Sequence, residues 1–214
     1  MTLPKGRRRA RSAEEKAGRE TDFVAAARRA LETMDYDEVT VAHVATRAGL
    51  TKASAYLYFP TKESLFLRVT EIELDAWFRT LEGALKKTRP AAIPALIART
   101  LSGAPVLLQL LTLLHGRIER NLTLAEIARF KAFLAGALDR VGRALEARLD
   151  LAPGRGAHLL LRTHALTIGL KQVSDPPARV RQVIEADPAL AEMTPDFETE
   201  LAAALADWLA AWRA

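Results

Sequence analysis

Apolar residues recur along this chain at intervals of three and four rather than two. No alternating run of β-branched residues is long enough for a sheet, so the pattern predicts an all-α fold. Phe23, Ala27, Ala30 and Met34 share one face of a first helix that should end near Asp35. Thr40 precedes VAHVATRAG as an N-cap, and Gly49 can take the left-handed conformation that closes a helix. Leu50 and Thr51 open a third short helix, TKASAYLYF, which Pro60 stops because the residue before a proline is pushed out of the helical region. Thr61 caps the next helix, and Glu63 in its first turn complements the positive end of the dipole. That helix runs from Lys62 to about Thr88, long enough to connect two modules. Pro94, Gly103 with Pro105, Asn121, Pro153-Gly154, Pro176-Pro177, Pro188 and Pro195 divide the remainder into helices near 91–101, 104–119, 123–149, 155–173, 178–186 and 196–213.

Composition narrows the class. Half of the 214 residues are hydrophobic, enough to bury a sizeable core. The absence of cysteine excludes disulfides, thiolate metal sites and a cysteine nucleophile together. The opening MTLPKGRRRARS has no apolar segment behind its basic run, so it does not read as a secretory signal. The apolar stretch Pro105 to Leu114 is shorter than the roughly 20 residues a bilayer requires. The expectation is a cytoplasmic protein without a membrane partner. Net charge is +5, and residues 1–20 hold seven Lys/Arg against three Glu, so most of the excess lies at the amino terminus. Such an arm suits a polyanion through counterion release, or serves only as a solvated tail. Residues 21–68 carry six basic and six acidic residues and are neutral.

A helix followed by two short helices about a glycine turn, within residues 20–60, is a helix-turn-helix layout. The run TVAHVATRAGLTKASAYLYFPTKESLF, Thr40 to Phe66, resembles the DNA-binding signature of the tetracycline-repressor (TetR) family over about a third of the chain. The resemblance implies that Thr40 and Arg47 sit against the phosphate backbone while Val41, Val44, Ala45 and Ala48 pack inward. It places Thr51, Lys52, Ala53 and Ser54 at the exposed start of the recognition helix, where hydroxyls and an ammonium reach bases or phosphates. Tyr56 and Tyr58 resemble aromatic positions that touch phosphate or sugar, Phe59 a buried one, and Lys62 a phosphate-binding lysine. Leu57 departs from the family, many of whose members carry a histidine there that Leu57 cannot replace as a donor. The implied organisation is a basic disordered arm (1–19), a helix-turn-helix domain (20–66), and a helical effector-binding and dimerisation domain (67–214) joined through the long helix.

In that last region, helix 104–119 is apolar almost all round, with Gln109, Thr112 and His115 on one narrow strip. The strip lines a ligand cavity walled by Trp77, Leu81, Leu108, Leu111, Phe130 and Phe133, or it is a thin solvent-facing stripe over ordinary core. A ligand held there would be a largely apolar small molecule. Leu201, Leu205, Trp208 and Trp212 form one seam, and Leu161, Ala165, Ile168 and Gly169 another. The seams either join two subunits in a four-helix interface or pack within one chain. A two-fold homodimer predicts double-stranded DNA with a palindromic operator as the partner. His43, His115, His158 and His164 make no metal motif, no glycine-rich phosphate loop is present, and no cofactor is implied. His115 and Glu119, four apart, can pair by a simple hydrogen bond. The expectation is therefore not an enzyme. A DNA-binding protein without an effector, and more remotely a small helical enzyme, remain as alternatives.

Overall fold

The structure is a computed structural model that describes residues 5–212, with side chains from Gly18 onward. Among the described residues there are helices and no strands. Helix α1 spans Lys5–Ala30, and α2 (Val41–Arg47) and α3 (Lys52–Tyr58) complete a small bundle. The backbone is thus helical from Lys5, rather than irregular through residue 19 as the arm was expected to be. After Pro4 the segment holds no proline and is rich in Ala, Arg, Glu and Lys, all good helix formers. The side chains that would decide its role as a basic arm lie outside the described residues.

The bundle closes on Phe23, Ala27 and Ala30, none of them exposed, and the ring of Phe59 lies 5.7 Å from that of Phe23. Helix α1 ends before Asp35, because Leu31, Glu32 and Thr33 already donate to carbonyls three residues back and tighten the last turn. The next three helices each start on a threonine. Thr40, Thr51 and Thr61 accept from the backbone N–H groups of His43, Ser54 and Ser64 at 3.1, 3.2 and 3.0 Å. Gly49, at φ 68°, ends α2 with the paired bonds Leu50 N–H to Ala45 and Gly49 N–H to Thr46, a closure that needs a left-handed residue.

Helix α4 (Lys62–Leu85) leaves the bundle through Phe66, whose ring meets Tyr36 at 5.1 Å, and becomes the wall of the second module. That module contains α5 (Ile93–Ser102), α6 (Pro105–Leu113), α7 (Leu124–Leu149), α8 (Arg155–Ser174), α9 (Ala178–Ala186) and α10 (Phe197–Ala211). The helix expected over 104–119 is not continuous. Helix α6 stops at Leu113, a wide π turn follows over Leu114–Ile118, and a tight turn over Glu119–Asn121 completes the segment. Gly116, a weak helix former, sits at the centre of the π turn.

Helices α4 and α7 are tied by Glu71, which is 3% exposed and receives Arg129 at 2.6 Å and Arg68 at 3.0 Å. Helices α7 and α8 cross at two glycines. A Cβ on Gly156 would stand 2.0 Å from the carbonyl oxygen of Gly142, so the crossing exists only because neither residue has a side chain. Helix α10 packs against α5 and α8. Among the described residues no single helix is long and apolar enough to cross a membrane.

Candidate nucleic-acid interface and internal cavity

Helix α3 buries only Ala55 completely and leaves most of its two turns exposed. Thr51, Lys52 and Ala53 are exposed and Ser54 is half-buried. The Thr51 hydroxyl caps the helix and also donates to Ser54 Oγ at 2.9 Å, fixing both hydroxyls relative to the helix start. Thr40 and Arg47, at the two ends of α2, are exposed as well. Among the described residues neither Arg47 nor Lys52 makes an ion pair, so both cations are open to a phosphate. Tyr56 is exposed and Tyr58 half-buried, while Val41, Val44 and Ala45 point inward as expected. Leu57 is 82% exposed, an apolar side chain with nothing folded over it.

Lys62, expected against a phosphate, is half-buried and meets the chain itself. Its ammonium donates to the carbonyl of Tyr36 and lies 3.9 Å over that residue's ring, and burial lowers its pKa. This half-buried group braces α4 against the loop before α2. Burial likewise raises the pKa of the Tyr36 phenol.

The second module encloses a cavity of about 300 Å³. Of the residues proposed for it, Trp77, Leu111, His115 and Phe130 line it. The others do not. Leu81 and Leu108 are buried elsewhere in the core, and Phe133 packs beside Phe130 at 6.4 Å without reaching the cavity. Gln109 and Thr112 face a shallow depression shared with Lys171 and Asp175, and Thr112 donates to the Gln109 carbonyl at 2.7 Å. The break after Leu113 separates this strip from His115, which the π turn carries to the cavity rim. The residues missed belong mainly to α7 and α8: Lys131, Leu134, Thr163, His164 and Thr167. Thr163 and Thr167, four apart on one helix, are the available signal.

A polar relay runs along the rim. Lys131 Nζ donates to Glu119 Oε1 at 2.5 Å, His115 Nδ1 meets Glu119 Oε2 at 2.8 Å, and His115 Nε2 meets His164 Nε2 at 2.9 Å. The expected His115–Glu119 pair is therefore present. Burial draws Glu119 toward its neutral acid, but the bonds from Lys131 and His115 outweigh it and hold the carboxyl below its usual range. Burial, reinforced by the neighbouring His115 and Lys131, pushes His164 down to about 4.

The same turn touches the amino-terminal module. Arg117 pairs with Asp37, in the loop before α2, and Asn121 donates to Glu63 at the start of α4 at 3.2 Å.

The two seams proposed for a dimer fare differently. On α8, Leu161, Ala165 and Gly169 are exposed and Ile168 is half-buried. On α10, Leu201 and Leu205 are wholly buried within the protomer and so belong to its core, because α10 lies on α5. Trp208 and Trp212 are half-buried under Arg162, and Trp212 also stacks on His158 at 5.9 Å.

Residues 23–69 match the family of bacterial regulatory proteins named tetR, and residues 71–210 match the tetracyclin repressor-like carboxy-terminal domain. The chain belongs to the TetR family of transcriptional regulators. A TetR-family regulator is a DNA-binding transcription factor and not an enzyme, which leaves the rim relay without a catalytic role. Over 68 residues the chain is 38% identical to the HTH-type transcriptional regulator EthR of Mycolicibacterium smegmatis. That match spans 32% of this chain and 30% of EthR, less than a third of the relative's length. The crystal structure of a TetR-family transcriptional regulator from Mesorhizobium loti shares the fold at a TM-score of 0.52 and 16% identity, over 92% of this chain and 95% of the other. Mycobacterium smegmatis AmtR aligns at a TM-score of 0.41 and 22% identity, over 88% and 92%.

Proposed function

We propose that this TetR-family protein is a repressor that binds a palindromic operator as a homodimer and is released by a small, largely apolar molecule held in the internal cavity. The observation that carries the effector is the segment Leu114–Asn121. It lines the cavity through His115 while Arg117 and Asn121 hold Asp37 and Glu63 of the DNA-reading half. A ligand that displaces His115 pulls on both contacts, and through α4 alters the separation of the two recognition helices. The ligand then favours the state that cannot span both half-sites.

Contact roles follow from exposure. Arg47 and Lys52 neutralise phosphates, Thr40, Tyr56 and Tyr58 position the module, and Thr51, Ala53 and Ser54 meet base edges. The exposed face of α8 around Leu161, Ala165 and Gly169, with the Trp208 and Trp212 end of α10, forms the subunit contact. Such a protein works where the operator is, in the bacterial cytoplasm.

The test is fluorescence anisotropy of labelled promoter DNA against the full chain, followed by titration of apolar compounds into the complex. Saturable, salt-sensitive binding at a stoichiometry of two chains per palindrome, reversed by a compound, supports the proposal. Ligand and DNA affinities that prove independent of one another leave a DNA-binding regulator without an effector.

A further inference from the structure

In the cavity wall, burial and hydrogen bonding are out of balance at one residue. Thr163 and Thr167 stand one helical turn apart on α8, and both line the cavity. The buried Thr163 hydroxyl donates to the Leu159 carbonyl at 2.8 Å, the usual outlet for a threonine inside a helix. Thr167 is 0% exposed, yet its Oγ1 has no hydrogen-bond partner. A buried hydroxyl in that state is costly, and native proteins satisfy nearly all such groups.

The remaining wall restricts what can satisfy it. Leu74, Trp77, Phe78, Phe130 and Leu160 are apolar, and three of them offer aromatic faces. The polar groups at the rim already answer one another, Lys131 and His115 both bonding Glu119. His115 Nδ1 meets the Glu119 carboxylate and its Nε2 meets Nε2 of His164, so of the two rings only His164 keeps a nitrogen, Nδ1, outside the relay. A charged ligand would lose its water here and gain no free counter-ion. A volume of about 300 Å³ holds roughly ten non-hydrogen atoms at the density of water.

We propose, on the effector reading above, that the ligand is a compact, uncharged, mainly aromatic molecule with a single hydroxyl head, of the alkylphenol class, whose oxygen accepts the Thr167 proton. Thr167 thus sets the specificity of the site. The leucine and aromatic walls hold the hydrocarbon part, and His164, three residues earlier and also in the wall, supplies an acceptor for the ligand's own proton.

Three probes on one skeleton test this by calorimetry with the full chain: para-propylphenol, propylbenzene and para-propylbenzoate. The phenol is expected to bind about tenfold more tightly than either of the others, the size of one buried neutral hydrogen bond. Thr167→Val, which keeps the shape and removes the hydroxyl, should erase the preference over propylbenzene while raising the Tm of the free protein. Thr167→Ser should keep the preference. Tightest binding by the benzoate, or a phenol preference that survives Thr167→Val, overturns the head-group assignment and leaves the effector reading standing. Binding by none of the three, with the operator complex undisturbed by any of them, overturns both.

Discussion

In the amino-terminal module the chemistry lies on the outside of one short helix, whereas in the carboxy-terminal domain it lies inside, shared among five helical segments. Helix α3 buries Ala55 alone and leaves its other six side chains exposed or half-buried. The cavity draws its lining from α4, α5, the α6 to π-turn segment, α7 and α8, so that no stretch of chain contains it. A surface that reads DNA needs only local order, which caps and a glycine turn supply. An internal site needs every surrounding helix crossing to be right. The difference predicts that the two halves fail in different ways when altered.

The glycines give the largest contrast. Gly156→Ala forces a Cβ into the Gly142 backbone at the α7–α8 crossing, and should cost more than about 3 kcal/mol in denaturant unfolding, since neither backbone can yield without reopening the cavity wall. Gly49 is needed for its left-handed φ and not for space, because a Cβ there meets nothing within 4 Å. Gly49→Asn, which tolerates that conformation, should stay within about 1 kcal/mol of the parent. Equal losses at the two sites would show that the halves are not held by different means.

Acid should also find the inner half first. His164 is held neutral, its folded pKa about 4 against 6.5 for the free group, while His115, Lys131 and Glu119 surround it. Between those values the unfolded chain binds a proton that the folded one does not, so stability falls as pH drops from 6.5 to 4. The loss at this residue amounts to about 3 kcal/mol over that window. His164→Asn should flatten this part of the pH profile of unfolding. An unchanged profile would mean that His164 is charged within the fold.

A third test concerns the bridge between the halves. Removing Arg117 and Asn121 together, as Arg117→Ala with Asn121→Ala, deletes two exposed contacts worth up to about 1 kcal/mol each. Ligand binding and DNA binding measured separately should each persist, while the shift in operator affinity caused by ligand should shrink by about tenfold. If the shift is undiminished, coupling runs through the buried α4 core instead.

The same contrast governs what the sequence discloses. The cap threonines, the Gly49 turn and the outward face of α3 are all encoded within a few neighbouring residues, and local periodicity finds them. Helix boundaries after Lys62, the end of α6 excepted, are legible for the same reason, since proline and glycine punctuate them. The cavity was legible only in part. Trp77, Leu111, His115 and Phe130 were identified as apolar or polar faces of their own helices, but so were Leu81 and Leu108, and periodicity cannot tell a wall from a filled core. Thr167 escaped because its significance is an absent partner, which no spacing records. For Leu201 and Leu205 both a subunit seam and packing within one chain stay open in the sequence, because a helix with one apolar stripe does not reveal which chain covers it. Gln109 and Thr112 were misplaced by a π turn that a regular 3.6-residue period does not anticipate.

The smallest effects should separate the contacts along α3 from one another. Lys52 is an exposed cation, and Lys52→Ala should weaken binding about fivefold on specific and nonspecific DNA alike, lowering the slope of affinity against salt by about one counterion. Leu57 is the opposite case: an exposed apolar side chain in place of a donor can contact a thymine methyl but cannot neutralise a phosphate. Leu57→Ala should therefore cost about threefold on the operator, nothing on nonspecific DNA, and leave the salt slope unchanged. Should both variants reduce the salt slope alike, Leu57 acts by positioning α3 on the backbone, and base reading falls to Thr51, Ala53 and Ser54.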